Sequence, residues 1–467
     1  MATSTDPTHH EMDHHMEAVR SNRCIGSAVV ENREKESTPW CQELRNFCRR
    51  YFLEGQLLDQ RATLATQGDK HTFWLKHRKT LAIGFPALIV HAVWWSVMIS
   101  NNYFYLFVEP SGSLAKPRYL MSITMIFGSL VAGATSEGGG AVAFPVMTLA
   151  LGIAPPVARD FAFMIQSVGM VASSFTILVM RIQVEWKAIL YVTLGGIVGI
   201  ILGLEEVAPR LTPPYSKMYF VVIWSSFAIG LFLLNRNHHR EVHDQIKNWE
   251  DGVLWRPPAS SILRPYLSLS WKRESLVCFG ILGGIFSSMA GSGIDICSFA
   301  ALTLLFRVSE KVATPTSVVL MAINTTIGFA YRQFGMGGVE EEAWGFFAVC
   351  VPIVVIGAPV GAFLGSYAHR LTLAAVIYII DAAQLIGALV VIQPWSNFHL
   401  SVTSLVLFVS GLTFFWLLSW LGLKMLQLPS KKVRGSSQEI SQTSINVDDL
   451  GGPSNCVDGP ENLLIEA

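Results

Sequence analysis

Residues 128–170 read GSLVAGATSEGGGAVAFPVMTLALGIAPPVARDFAFMIQSVGM, an apolar run interrupted at Ser136-Glu137-Gly138-Gly139-Gly140 and stopped at Pro155-Pro156. Successive glycines are not ordinary helix interior, since each weakens a helix by about 1 kcal/mol relative to Ala. Within lipid the break costs more, because an exposed backbone N–H or C=O finds no water to bond. Such an interruption survives at membrane depth only where protein or a water-filled cavity covers it. The run therefore reads as a broken membrane element, not as a plain span.

The stretch recurs 155 residues later without a gap: residues 283–325 read GGIFSSMAGSGIDICSFAALTLLFRVSEKVATPTSVVLMAINT. Gly138 falls on Gly293, Phe144 on Phe299, Thr148-Leu149 on Thr303-Leu304 and Val157-Ala158 on Val312-Ala313. The first break corresponds to Gly291-Ser292-Gly293-Ile294-Asp295. A ladder of small residues follows each copy, Gly195, Gly199 and Gly203 after the first and Gly357, Gly361 and Gly365 after the second. Ladders of this kind let membrane helices approach closely. A break at the same place in both copies reads as an internal duplication. Broken helices at matching positions of two halves are the best sequence pointer to a transporter's binding site.

Composition agrees with a membrane chain. Of 467 residues, 51% are hydrophobic and only 15% charged, against about 25% charged in soluble domains. The net charge of zero argues against nucleic-acid binding. The seven cysteines (Cys24, Cys41, Cys48, Cys278, Cys297, Cys350 and Cys456) contain no CxxC pair, and no disulfide framework is expected. The polar opening MATSTDPTHHEMDHHMEAVR does not read as a signal peptide. No nucleophile–base pair or phosphate-binding loop is present, and Gly138-Gly139-Gly140 lacks the lysine that such a loop needs. The chain reads as a non-enzyme with no cofactor and no metal.

In chain order, residues 1–79 form a polar cytosolic region. His9, His10, His14 and His15 could hold a metal, but no further ligand closes the site, and a solvated tail is the simpler reading. Residues 40–64 read as a short amphipathic helix. The first transmembrane half spans 80–235, with its repeat starting near 119. The central loop 236–274 is cytosolic. The second half spans 275–424, with its repeat running to about 392, and residues 425–467 form a disordered cytosolic tail. Unbroken spans are expected at 80–108, 160–180, 186–204, 217–235, 313–331, 343–367, 372–392 and 400–424, and broken elements at 120–151 and 275–306.

Charge sets the expected topology. The most basic flanks are Lys76-His77-Arg78-Lys79, the central loop and Lys431-Lys432-Arg434, and the positive-inside rule places all of them in the cytosol. Four unbroken spans separate each pair, so each broken element must enter and leave on one side. Lys116, Arg118 and Arg159 then fall outside, against the rule. The expectation is an all-α polytopic membrane protein. It has two inverted repeats, each a re-entrant helical hairpin plus three spans, between a first and a last flanking span. About 8 full spans and 2 hairpins result, with both termini cytosolic.

The residues also carry a family resemblance. Gly138-Gly139-Gly140 followed by Pro145, and Ala313-Thr314-Pro315-Thr316-Ser317 in the second copy, resemble the sulfite exporter TauE/SafE family of membrane permeases over roughly residues 80–425. Ile294 and Asp295 depart from the family's usual glycines, Ala300 from its proline, and Arg159-Asp160-Phe161-Ala162 from its common Thr-Ser. The resemblance implies a small sulfur oxyanion or organosulfonate such as sulfite as substrate, and export as the direction.

The breaks offer matching chemistry. A helix N-terminus presents free N–H groups and partial positive charge, and glycine lets a ligand approach the backbone. Half-helices are expected to begin near Ala141 and near Ile294. Gly138, Gly139, Gly140, Gly291 and Gly293 would then cradle an anion, with hydroxyls from Ser136, Ser292, Thr316 and Ser317 as donors. Gln166, Ser167 and Asn324 would line the path. Ionisable groups inside apolar runs are expensive and usually functional. Glu137, Asp295 and Asp381 are thus candidates for carrying a coupling proton or cation, although Asp295 could instead cap its helix. Arg159 is a candidate for drawing the anion in, or a partner for Asp160. His91 reads as a packed histidine, the Trp94-Trp95 and 103–107 aromatics as core or interface belt, and the sequon Asn324-Thr325-Thr326 as unused because it lies inside a span. The partners implied are a small anion and the bilayer. An anion channel, or a scaffold or receptor working through its tails, is the alternative.

Overall fold

The computed structural model describes residues 73–236 and 269–427, together with Glu43, residues 243–246, Trp249 and residues 253–255. The histidine cluster, nearly all of residues 40–64, and the tail beyond Gln427 lie outside the described residues. The helices are α1 Phe73–Ser100, α2 Tyr119–Ala134, α3 Gly138–Pro145, α4 Pro155–Val179, α5 Trp186–Leu202, α6 Pro213–Asn235, α7 Trp271–Ala290, α8 Ile294–Ala300, α9 Glu310–Ala330, α10 Glu341–Tyr367, α11 Arg370–Ile392 and α12 Phe398–Gln427. Wider π-turns extend α3 through Ala150, α5 through Val207, α8 through Leu305 and α9 through Gly335.

Among the described residues, eight helices are long and apolar enough to cross a membrane: α1, α4, α5, α6, α9, α10, α11 and α12. They are the eight unbroken spans expected from the apolar runs. The first is shorter than the expected 80–108. It ends at Ser100, where Asn101 Nδ2 turns back to donate to Val97 O at 3.0 Å and Asn102 adopts a left-handed φ of 52°. Asn tolerates that conformation better than most residues, and residues 103–107 continue as a separate 3₁₀ turn.

Both broken elements turn back on themselves. At 16 residues, α2 is about 24 Å long at 1.5 Å per residue, short of the ~30 Å hydrocarbon core. After the break, α3 returns against it. Ser113 Oγ donates to Gly152 O at 2.9 Å and Lys116 Nζ donates to Ala150 O at 2.9 Å, so the start and finish of this hairpin are tied together. In the second hairpin the Trp271 and Phe306 rings, at its two ends, lie 5.8 Å apart.

The glycine ladders find their partners across the halves. A Cβ built at Gly195 would lie 2.0 Å from Val277 O, and one at Gly199 would lie 2.1 Å from Ile281 O, so α5 packs backbone to backbone on α7. Likewise a Cβ at Gly361 would lie 2.2 Å from Leu130 O, and one at Gly133 would lie 1.9 Å from Ala358 O, so α10 packs on α2. The second span after each hairpin thus clasps the first limb of the other half's hairpin. Helices α4 and α9 run through the centre, and α9 is 78% buried over its apolar window where α1 is 11% buried.

The polar details follow this packing. Arg118 pairs with Glu109, Lys116 with Ala150 O, and Arg159 with Asp160. The three basic residues that break the charge rule are therefore each held locally. His91 Nδ1 lies 2.9 Å from Ala87 O on its own helix. Trp94 packs inward and donates through Nε1 to Ala348 O at 2.7 Å, while Trp95 is exposed. Asn324 is fully buried in α9, where no glycan could be attached.

Candidate functional site

The two hairpin tips meet in the interior. Each tip turns on one left-handed glycine, Gly138 with φ 69° in the first and Gly291 with φ 79° in the second. These are not equivalent positions in the 155-residue register, in which Gly291 matches Ser136. Helix α3 begins at Gly138 itself and not near Ala141, so the triple glycine forms its first turn. The N–H groups of that turn have no partner inside the helix. Helix α8 begins at Ile294 with Asp295 in its first turn, as the sequence suggests.

Contact between the tips is direct. Ser292 Oγ donates to Glu137 O at 3.2 Å and also hydrogen-bonds Asp295 Oδ2. A Cβ at Gly140 would lie 2.8 Å from Ser292 Cβ, and one at Gly138 would lie 3.1 Å from Asp295 Oδ2. Gln166, from α4, holds the second tip by donating from Nε2 to Gly291 O at 2.8 Å, while its Oε1 has no hydrogen-bond partner. A Cβ at Gly138 would also come within 2.4 Å of Met321 Sδ. Met321 on α9 is the register partner of Gln166, a correspondence visible in the repeat but hidden by the change from amide to thioether. At Gly139 there is room, the nearest atom to a built Cβ being 3.7 Å away.

Ser136, Glu137, Gly138, Gly139, Gly140, Gln166, Gly291, Ser292, Gly293 and Asp295 are thus brought together. Other predicted residues are placed around them. Ser317 Oγ donates to Ala313 O at 3.0 Å and lies 3.4 Å from Ser298 Oγ on α8. Asn324 sits behind the second tip, donating to Leu320 O at 2.8 Å; a Cβ at Gly196 would strike both its Oδ1 and Ile294 Cδ1. Ser167 is half-buried and donates to Met164 O on its own helix. Thr316 faces elsewhere. Its hydroxyl donates to Val312 O and accepts from Glu185 N, at the junction with the central segment.

Arg159 is tied to Asp160 at 2.7 Å, but Asp160 is shared. Arg332, beyond α9, donates to both Asp160 oxygens, with Nη2 at 2.8 Å from Oδ2. Two guanidinium groups thus meet one buried carboxylate. This cluster lies next to the second tip, because a Cβ at Gly291 would come within 2.7 Å of Arg159 O. Only its position at the end of a span marks Arg332 in the sequence.

Asp381 joins the site from α11, with its carboxyl group in hydrogen-bonding reach of that of Glu137. Neither carboxyl receives a hydrogen bond from any N–H or O–H donor among the described residues. Gln384, one turn further along α11, is also buried with both amide atoms unpartnered. A separate cavity of about 1100 Å³ lies between α1, residues 103–118 and α10, and none of the predicted site residues lines it.

Glu185 lies just before α5. Its Oε2 accepts from Ile246 N at 3.2 Å, anchoring the central segment. Burial pushes its carboxyl up from the ordinary range, against the opposing pull of Ile246 N–H and Lys187.

Comparison with known proteins gives a single family. The family described as Sulfite exporter TauE/SafE matches residues 120–386, from α2 through most of α11. No curated protein matches the chain, and no solved structure does.

Proposed function

This chain belongs to the sulfite exporter TauE/SafE family of membrane transporters, and on that premise we propose that it is a secondary transporter of a small sulfur oxyanion or organosulfonate, with the substrate held where the two hairpin tips meet. The observation that carries this reading is the Ser292–Glu137 contact, which joins breaks 155 residues apart in one buried place. The N–H groups of the Gly138 turn supply donors and partial positive charge for an anion, whereas in the second tip the Ile294 N–H is already given to Ser287 Oγ at 3.0 Å. Ser136, whose buried hydroxyl is unpartnered, and Ser292 supply hydroxyls. Ser317, Asn324 and Gln166 back the tips, and the Arg159–Asp160–Arg332 cluster stands at the approach with an excess of positive charge. Thr316 and Ser167 are spent on other partners and are left out of the binding set.

We read the two halves as inverted repeats. Hairpin one closes beside the start of α10, where Ser111 Oγ donates to Glu342 at 2.5 Å. Hairpin two closes near the end of α12, where Arg307 Nη2 donates to Ser419 O at 2.7 Å. Alternating spans put those places at opposite ends of the bundle. The matched domains are residues 119–235 and 275–392, and rocking of one against the other around a fixed site gives alternating access. The positive-inside rule places both termini and the central loop in the cytosol, and the family's description gives export as the direction.

The test is uptake of labelled sulfite and labelled sulfonate into proteoliposomes. Saturating flux is expected for a carrier, whereas large unitary currents would indicate a channel. Gly139→Leu fills space that the backbone leaves open and should cut the flux at least tenfold. Equal flux in this variant and the native chain would remove the tips from the binding site.

A further inference from the structure

The tip that would receive an anion holds acid and no base. Glu137 and Asp295 are fully buried and Asp381 nearly so. Of the elements around the first tip, α2 carries no ionisable residue except Tyr119 at its far end, α8 brings Asp295, and α11 brings Asp381. From α4 come Arg159 and Asp160, locked with Arg332. From α6 comes Lys217, whose ammonium donates to Thr148 O at the other end of the hairpin. The long spans α9 and α10 have Glu310, Lys311, Glu341 and Glu342 at their ends and only Cys350 within reach of the middle.

The three acids differ in their surroundings. Asp295 has the Ser292 hydroxyl on Oδ2 and sits in the first turn of its own helix, where the backbone N–H groups of Gly293 and Ile296 bond its carboxyl. Glu137 and Asp381 have no N–H or O–H donor, only each other, and the amide of Gln384, one turn along α11, and the hydroxyl of Ser136, next to Glu137 in the chain, are likewise buried without partners. Two ionised carboxylates cannot lie together in a dry site without a counter-charge, and one proton between them relieves both the repulsion and the desolvation. Carboxyl chains of this kind are the proton relays of pumps and transporters.

We propose that Glu137 and Asp381 form a proton-carrying pair that couples proton movement to the anion, and that Asp295 is a structural cap outside the relay. The inference rests on the anion site proposed above. With one proton the pair carries a charge of −1; a second makes it neutral. An anion at the Gly138 turn is repelled by the first state and not by the second, so proton and anion bind together and travel in the same direction. Helix α11 contributes Asp381 while the hairpin contributes Glu137. Loading the pair therefore also links two elements that must separate when the halves rock.

The experiment uses the full chain in proteoliposomes and in detergent. Sulfite flux is measured against pH under imposed pH or sodium gradients. Difference infrared spectra follow the carbonyl stretch of a protonated carboxyl group. The native flux should respond to a pH gradient and not to sodium. It should be steeper in pH than that of Asp381→Asn by up to about tenfold per pH unit, the limit for one linked proton. Sulfite's own proton is common to both chains, so the difference between them reports the pair. The carboxyl band should be lost in Asp381→Asn, and also in Glu137→Gln should the first variant not reach the membrane. Asp295→Asn should leave it in place. Identical pH profiles with an unchanged band would overturn the proposal, and so would flux driven by sodium alone. A carboxyl band that behaves as described in a protein moving no anion at any pH would uphold the pair and reject the transport reading.

Discussion

Gly138 carries a backbone φ of 69°, and any Cβ placed there would lie 2.4 Å from Met321 Sδ. The triple glycine is legible in the sequence as a break, but which of its members is indispensable is not, because that depends on α9 lying alongside. Gly138→Ala should lose about 1–2 kcal/mol to the left-handed conformation alone, with more from the thioether, and its melting temperature should fall together with its flux. Gly139→Ala meets nothing closer than 3.7 Å and should melt close to the native chain. Glu185 allows a pH test. Its folded-state carboxyl is raised by burial, so the unfolded chain releases its proton first as pH rises. Native stability should therefore decline from the ordinary glutamate range upward until the folded-state group has also ionised. Glu185→Gln keeps an acceptor for Ile246 N–H and should flatten that decline in melting curves. The sequence marks Glu185 only as a charge beside a span, since its burial comes from residues 243–246, far along the chain.

At the scale of elements, the glycine ladders show how a local pattern acquires a partner. Their spacing predicts close helix approach, yet nothing in the spacing tells which helix approaches. The fold pairs α5 with α7 and α10 with α2, each joining one half to the other's hairpin. A side chain at Gly195 or Gly361 would press on a carbonyl about 2 Å from its Cβ. Either Gly→Ala change should cost about 1–3 kcal/mol as overpacking. Gly387, with nothing within 4 Å of a built Cβ, should gain up to about 1 kcal/mol on the same change by helix propensity. Thermal unfolding in detergent of the three single variants checks the contrast. The Arg159–Asp160–Arg332 cluster lies at the same scale. Sequence adjacency yields the first pair, while Arg332 is brought in by α9 crossing α4. Arg332→Gln leaves Asp160 with a single cation and should destabilise by about 1.5–3 kcal/mol, the value of a hydrogen bond to a charged group, and it should lower anion flux at low ionic strength more than at high. In the double change with Asp160→Asn the two costs should be less than additive.

For the whole molecule, the decisive relation is that both hairpins return to their starting points and that three of the eight apolar spans, α4, α5 and α6, lie between them. Cysteines placed at Trp395, exposed between α11 and α12, and in the central segment 236–268 should react with impermeant reagents from opposite faces of the membrane, the latter from the face shared by both termini. Labelling of both positions from one face would cancel the inverted arrangement. Eight apolar spans, two breaks and the family were all determined by the sequence alone, because hydropathy, glycine runs and motif spacing are one-dimensional properties and lipid leaves the backbone few alternatives. The tertiary structure alone decided that the two tips touch, that Asp381 and not Asp295 lies carboxyl to carboxyl with Glu137, that Thr316 turns away to Glu185, and that Arg332 completes the ion cluster. Those are contacts between residues tens to hundreds of positions apart. They depend on which helix faces which, and that choice is made by packing summed over the whole bundle, not by any stretch of the chain that could be read on its own.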